Sequence, residues 1–330
     1  MTRAESVQAL IDGKAKPLGS LGRIEELAVL LGCLQDTDRP RVQDPVLLVF
    51  AGDHGAVASG VSAYPSSVTA AMVGMYLEGR AAANLFARQA GTRVVVVDAG
   101  VASDIGPHPG LLSVRIGPGT QDWVHGPAMT PSEVQMALGT AADVVDALLD
   151  GGCTVLALGD MGIGNTASAA LLVHKVAGLP LDGLVGRGAG LDDAGLQAKR
   201  DAVARGAART ADRLMAARAL SEYGGYEIAM LAGAILQAAR RRVCVVVDGV
   251  IVTAAAVLAY AIEPSCLDAC VFAHRSAERG HDAMLAHLGA RPLLDLGMRL
   301  GEGTGAVLAV PLLQAAAAML SDMADLRDVV

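Results

Sequence analysis

Four short apolar runs, each closed by glycine and aspartate, constrain this chain more than any other feature. Val46-Leu47-Leu48-Val49-Phe50 leads into Ala51-Gly52-Asp53-His54-Gly55, and Val94-Val95-Val96-Val97 leads into Asp98-Ala99-Gly100. Thr154-Val155-Leu156-Ala157-Leu158 leads into Gly159-Asp160-Met161-Gly162, and Val243-Cys244-Val245-Val246-Val247 into Asp248-Gly249. Continuous, largely β-branched runs without polar alternation suit strands buried on both faces of a parallel sheet. Helical segments lie between them. Thr130-Pro131-Ser132-Glu133 reads as a capping box with proline at the first helical position. Val134, Ala137, Leu138, Ala141, Val144, Val145 and Leu148 then share one face, and Gly151-Gly152 stops the helix. Strand, crossover helix and strand again predict an α/β fold with a parallel sheet. Ligands of open sheets sit beyond the carboxyl ends of the strands. The four Asp/Gly ends together predict a pocket floor, although for any one of them a strand end or a helix cap is the better explanation.

Residues 1–36 read as helical, broken by Lys16-Pro17-Leu18-Gly19-Ser20-Leu21-Gly22-Arg23; beyond the break Ile24, Leu27, Ala28 and Leu31 recur at helical spacing. The polar segment Thr37 to Pro45 marks a boundary, and the Gly/Pro-rich stretch Gly100 to Gly126 holds a short extra strand at Leu112 to Ile116. Ala306 to Leu320 is apolar almost all round, which places it inside the molecule or at a subunit interface.

Composition narrows the function classes. Hydrophobic residues make up 53% of the 330 but aromatics only 3%, so the core is built from Ala, Val and Leu. A net charge of −8 without a Lys/Arg block argues against a nucleic-acid partner. The five cysteines form no CxxC pair, which predicts buried free thiols in a reducing compartment. The seven histidines show no metal-ligand spacing, so no metal is expected. The N-terminus lacks the apolar core of a signal peptide. The apolar run Val243 to Ile262 is interrupted by Asp248-Gly249, so strand, turn and helix is a better reading than a membrane span. A soluble, cytoplasmic protein is expected.

Three stretches carry candidate chemistry. Gly159-Asp160-Met161-Gly162-Ile163-Gly164-Asn165-Thr166 follows a strand and opens a helix, where backbone N–H groups can hold an anion. It lacks the third glycine of the dinucleotide fingerprint and the lysine of the P-loop, which disfavours an NAD-dependent oxidoreductase. Gly186-Arg187-Gly188-Ala189-Gly190-Leu191-Asp192-Asp193, with Lys199 beyond it, suits a phosphate, or else a helix capped by Asp192 or Asp193. In Leu300-Gly301-Glu302-Gly303-Thr304-Gly305 a carboxylate stands between two glycines, so another molecule can approach it closely. That arrangement suits a general base, or a polar turn whose acid sits near a helix start.

Taken together in order, Lys16 to Arg23, Gly52-Asp53-His54-Gly55, Tyr64-Pro65-Ser66-Ser67-Val68-Thr69, Gly162 to Thr166, Asp248-Gly249 and Arg299 to Gly305 resemble one family. It is the nicotinate-nucleotide:dimethylbenzimidazole phosphoribosyltransferases of cobalamin nucleotide-loop assembly. The resemblance runs from about Lys14 to Leu320. It implies a Rossmann-like parallel sheet flanked by helices, with a small helical domain formed by residues 1–36 and 286–330 around a large domain at 37–285. It implies a homodimer that uses no cofactor, and transfer of the phosphoribosyl group of nicotinate mononucleotide to 5,6-dimethylbenzimidazole. Glu302 matches the family's catalytic base and Lys199 its phosphate-contacting lysine, with Ser276 of His274-Arg275-Ser276-Ala277-Glu278 near the phosphate. Gly162, Ile163, Gly164 and Asn165 match the loop lining the nucleotide, while Tyr64 and Met72 fall where the family borders the base site; Gly301 and Gly303 flank the catalytic glutamate. The family usually reads Gly-Glu-Met-Gly where this chain has Asp160, shorter by one C–C bond or about 1.5 Å, and Gly-Gly where it has Gly79-Arg80. These departures leave open a different aromatic acceptor, or a non-catalytic nucleotide sensor.

Overall fold

The computed structural model describes residues 2–329. Six strands form one sheet: β1 (Val46–Gly52), β2 (Arg93–Gly100), β3 (Leu111–Ser113), β4 (Val155–Met161), β5 (Cys244–Val247) and β6 (Cys270–Phe272). Their spatial order is β3-β2-β1-β4-β5-β6, and every pairing is parallel. The chain winds outward from β1 in one direction, then returns to lay β4 on its other side. That reversal opens a crevice at the carboxyl edge between β1 and β4.

Strict alternation along β1 divides the core. Val46, Leu48 and Phe50 enter one hydrophobic layer, while Leu47, Val49 and Ala51 enter the other. Helices Pro131–Asp150, Asn165–Ala177, Tyr226–Arg240 and Val250–Ile262 cover the first face. Arg3–Asp12, Arg23–Leu34, Ala82–Gln89 and Thr304–Asp322 cover the second. The Thr130 capping box forms as expected: its hydroxyl accepts from the Glu133 N–H at 3.2 Å, and the Glu133 carboxylate accepts from the Thr130 N–H at 2.7 Å. Helix Thr304–Asp322 is long and apolar enough to cross a bilayer. Here its Val307, Val310, Leu313 and Leu320 are buried, and it packs against β4, β5 and helix Arg23–Leu34.

Several expectations need correction. The predicted extra strand at 112–116 forms a regular ladder with β2 only over Leu111–Ser113; Val114 and Ile116 still donate to the Asp98 and Ala99 carbonyls of β2, at 3.1 and 2.9 Å, but outside that register. Cys270–Phe272 is a sixth strand; three residues give no periodicity to read. Asp53 and Asp98 do not face the cleft. The segment after β2 folds back over the ends of β1 and β2, so Asp53 accepts from the Ala102 N–H and Asp98 from the Val101 N–H, both at 2.8 Å.

Candidate active site

A cleft of about 690 Å³ lies beyond the carboxyl ends of β4 and β5. Its floor is Asp160 at the end of β4 and Gly249 after β5, and one wall is the loop Gly162-Ile163 with Asn165 at the helix start. Tyr64, Val68 and Met72 form the opposite side, and Ser276, Gly188 and Gly190 close the far end. Gly301 and Glu302 hang over the floor. Nine of the twelve residues singled out in the sequence thus line one cleft: Tyr64, Met72, Asp160, Gly162, Ile163, Asn165, Ser276, Gly301 and Glu302.

The other three support it. Gly164 caps helix Asn165–Ala177 at φ 96° and Gly303 caps helix Thr304–Asp322 at φ 83°. Lys199 is fully buried behind the wall, its Nζ donating to Thr166 Oγ1 at 2.7 Å. Burial brings the Lys199 ammonium down to about 8, with the Glu278 carboxylate opposing that fall. Glu278 also fastens the outer loop, its Oε1 accepting from the Gly188 N–H at 3.2 Å. Asp192 caps the following helix through the Gly195 N–H at 2.8 Å, which is the capping reading offered for the Gly186–Asp193 stretch.

Glu302 is held in an uncommon way. Gly301, Glu302 and Gly303 all take left-handed backbone, with φ of 85°, 65° and 83°. A glutamate there is strained by roughly 1–2 kcal/mol, and its surroundings over-determine it. Asp248, just past the end of β5, accepts from the Gly303 N–H at 3.1 Å and from the Ala306 N–H at 2.9 Å. The Thr304 hydroxyl donates to the Gly301 carbonyl at 2.8 Å. Strain kept in place by such bonds is a mark of functional positions. The side chain is buried, and its Oε2 has no hydrogen-bond partner. Burial raises the Glu302 carboxyl above its usual value, with Asp248 adding to the rise, while the Ala83 N–H and the Tyr76 hydroxyl act against it. Tyr76 itself stays protonated, pushed well up by burial and by the Glu302 and Asp160 carboxylates.

Asp160 is the second acid. Its Oδ2 accepts from Asn165 Nδ2 at 2.9 Å, and its Oδ1 has no partner. Burial, then the nearby Asp248, carries its carboxyl up to about 8. The cleft therefore holds two buried acids whose carboxyls are both raised by burial, Asp160 to about 8. Sequence reasoning missed Tyr76 and the partner roles of Thr166, Glu278 and Asp248. None of these is paired with Glu302 or Lys199 by any local spacing, and only the fold brings them together.

This is an α/β enzyme with a buried glutamate and a buried aspartate at a cleft beyond the carboxyl ends of its parallel strands. The family model described as phosphoribosyltransferase matches residues 2–329. The chain is 51% identical over 319 residues to the nicotinate-nucleotide–dimethylbenzimidazole phosphoribosyltransferase of Aromatoleum aromaticum, covering 97% of this chain and 93% of that one. It is 44% identical to the Photobacterium profundum protein of the same name over 98% of this chain and 95% of that one. The crystal structure of CobT from Thermus thermophilus superposes with a TM-score of 0.94 at 44% identity, covering 99% of this chain and 98% of that one. The chain belongs to the nicotinate-nucleotide–dimethylbenzimidazole phosphoribosyltransferase family.

Proposed function

We propose that the protein transfers the phosphoribosyl group of nicotinate mononucleotide to 5,6-dimethylbenzimidazole, giving α-ribazole 5′-phosphate and nicotinate. One ring nitrogen of the acceptor attacks the anomeric carbon as the bond to the pyridinium nitrogen breaks, with inversion. Glu302 takes the proton from the other ring nitrogen, and nicotinate leaves with its ring nitrogen neutral. The observation that carries this reading is the Glu302 carboxylate, buried at the cleft with a free Oε2 and fixed through Asp248. Ser276 at the far end, with Lys199 behind the wall at Thr166, suits the donor's phosphate, and the side chains of Tyr64 and Met72 suit a flat aromatic acceptor. Asp160, protonated, donates a hydrogen bond into the cleft.

The test is to incubate the protein with nicotinate mononucleotide and a panel of benzimidazoles, following nicotinate and ribotide by chromatography. Stoichiometric release of nicotinate with appearance of the ribotide is expected. Tight donor binding without release under every acceptor identifies a sensor instead.

The five free cysteines support work in a reducing cytoplasm. The family resemblance implies a homodimer, which light scattering checks. We also read residues 1–36 and 286–330 as one helical unit beside the 37–285 unit, supported by the Lys14–Asp325 ion pair at 3.1 Å and the packing of Arg23–Leu34 on Thr304–Asp322.

A further inference from the structure

A second open cavity, of about 720 Å³, adjoins the cleft on the outer side of Glu278 and Arg299. Arg187, Arg200, Arg279 and Arg299 stand around it, facing only two carboxylates, Asp193 and Glu278. Arg187 is paired with Asp193. Arg299 reaches only the Gly188 carbonyl, at 3.5 Å. Arg200 and Arg279 make no hydrogen bond or ion pair among the described residues. Two positive charges are therefore left over in this cavity, in a chain whose net charge is −8. Like charges converging on a concavity repel one another unless an anion enters. Guanidinium forks match the paired oxygens of a phosphoryl group better than most other common anions.

We propose that this cavity is a binding site for an anion carrying adjacent phosphoryl groups, separate from the phosphoribosyl cleft, with Arg200 and Arg279 as its principal ligands and Arg299 at the shared wall. Two unpaired guanidinium groups on a cavity of this size suit an anion with two phosphoryl groups, one for each arginine, and inorganic pyrophosphate is the simplest such anion. Glu278 forms the partition: its outer side faces the cavity, and its Oε1 holds the Gly188 N–H on the cleft side. The site stands whether or not the phosphoribosyl transfer is confirmed, because nothing in it depends on turnover.

Titration of the full-length protein with inorganic pyrophosphate by calorimetry at low ionic strength tests it. Saturable uptake of one pyrophosphate per chain is expected, weakening with added salt and persisting at saturating nicotinate mononucleotide. The Arg200→Ala/Arg279→Ala variant is expected to bind pyrophosphate at least about tenfold more weakly, the scale of one lost charge-assisted hydrogen bond, with donor binding changed less than about twofold. Arg279→Ala alone carries the test if the double variant does not fold. Absence of saturable uptake, indifference to these substitutions, or complete displacement by the mononucleotide overturns the proposal, the last by assigning the anion to the cleft.

Discussion

The backbone of Glu302 rests against Gly159 of β4: a Cβ at residue 159 would stand 2.6 Å from both the carbonyl carbon and the carbonyl oxygen of Glu302. It would meet the Gly303 nitrogen at the same distance. Strand and loop thus touch main chain to main chain, and only a glycine fits. Gly159→Ala has to push the Gly301–Gly303 loop off the sheet or bend β4. The expected cost is about 1–3 kcal/mol, as for other overpacked sites, read as a lowered melting temperature. Because the loop carries the base, turnover is expected to fall more than about tenfold in protein that is still folded. Unchanged turnover shows that the loop tolerates displacement.

Glu302→Gln removes the base and keeps the shape. A positioned general base contributes roughly 10²–10⁴-fold, so turnover is expected to fall by that range while donor affinity holds. The pH dependence carries the same information. Burial raises the Glu302 carboxyl above its ordinary value of 4.5, so the active ionised form is lost as pH falls through a point above 4.5. The acid limb of the rate profile is expected to bend there and to vanish in the Gln variant. A limb that persists belongs to another group.

Lys199 gives a separate signature on the donor side. Burial has lowered its ammonium to about 8 against an ordinary value of 10.5. Free enzyme loses this charge as pH rises through about 8, so kcat/KM for the mononucleotide is expected to decline above that point. Lys199→Met is expected to raise the donor KM about tenfold or more, one charge-assisted bond's worth, and to flatten the alkaline decline. The stability effect has the opposite sense. A lysine whose folded pKa is depressed destabilises the native state below about pH 8, and this is relieved as pH rises toward 10.5. The Met variant is therefore expected to melt higher than the parent at neutral pH.

The strands were legible because burial on both faces leaves no room for polar alternation, and runs such as Val94 to Val97 show it plainly. The cleft residues were legible where glycines cluster, since Gly162 and Gly303 mark close backbone approaches and Gly301 a left-handed turn. What the sequence hid depends on contacts between distant segments. Gly159 reads as one glycine among many until Glu302 is seen lying on it. Asp248 reads as a strand end, and only the fold shows it holding the Glu302 loop through two N–H groups. Asp53 and Asp98 carry the same local signal as Asp160, yet the loop crossing over β1 and β2 takes them out of the cleft. Local pattern cannot separate these cases, because the difference lies in what covers each strand end.

Asp160 supplies the last test. Its carboxyl is buried and raised to about 8 from an ordinary value of 3.8, first by burial and then by Asp248. A carboxyl whose folded pKa exceeds its unfolded one binds its proton more tightly in the native state. The stability this confers is complete below pH 3.8 and is lost as pH rises from 3.8 to about 8, the interval in which only the unfolded chain ionises. Asp160→Asn keeps the size and the capacity to donate a hydrogen bond but has no proton to lose. The parent is therefore expected to lose melting temperature between about pH 5 and about pH 8 relative to the Asn variant, with the gap widening steadily across the interval. If the acid acts as a donor to the acceptor ring, the Asn variant is also expected to retain substantial turnover at neutral pH and to hold it above about pH 8, where the parent's Asp160 ionises. Parallel melting curves at all pH values would mean that Asp160 is already ionised in the folded protein, and a parent that outperforms the Asn variant increasingly as Asp160 ionises would make it a second base.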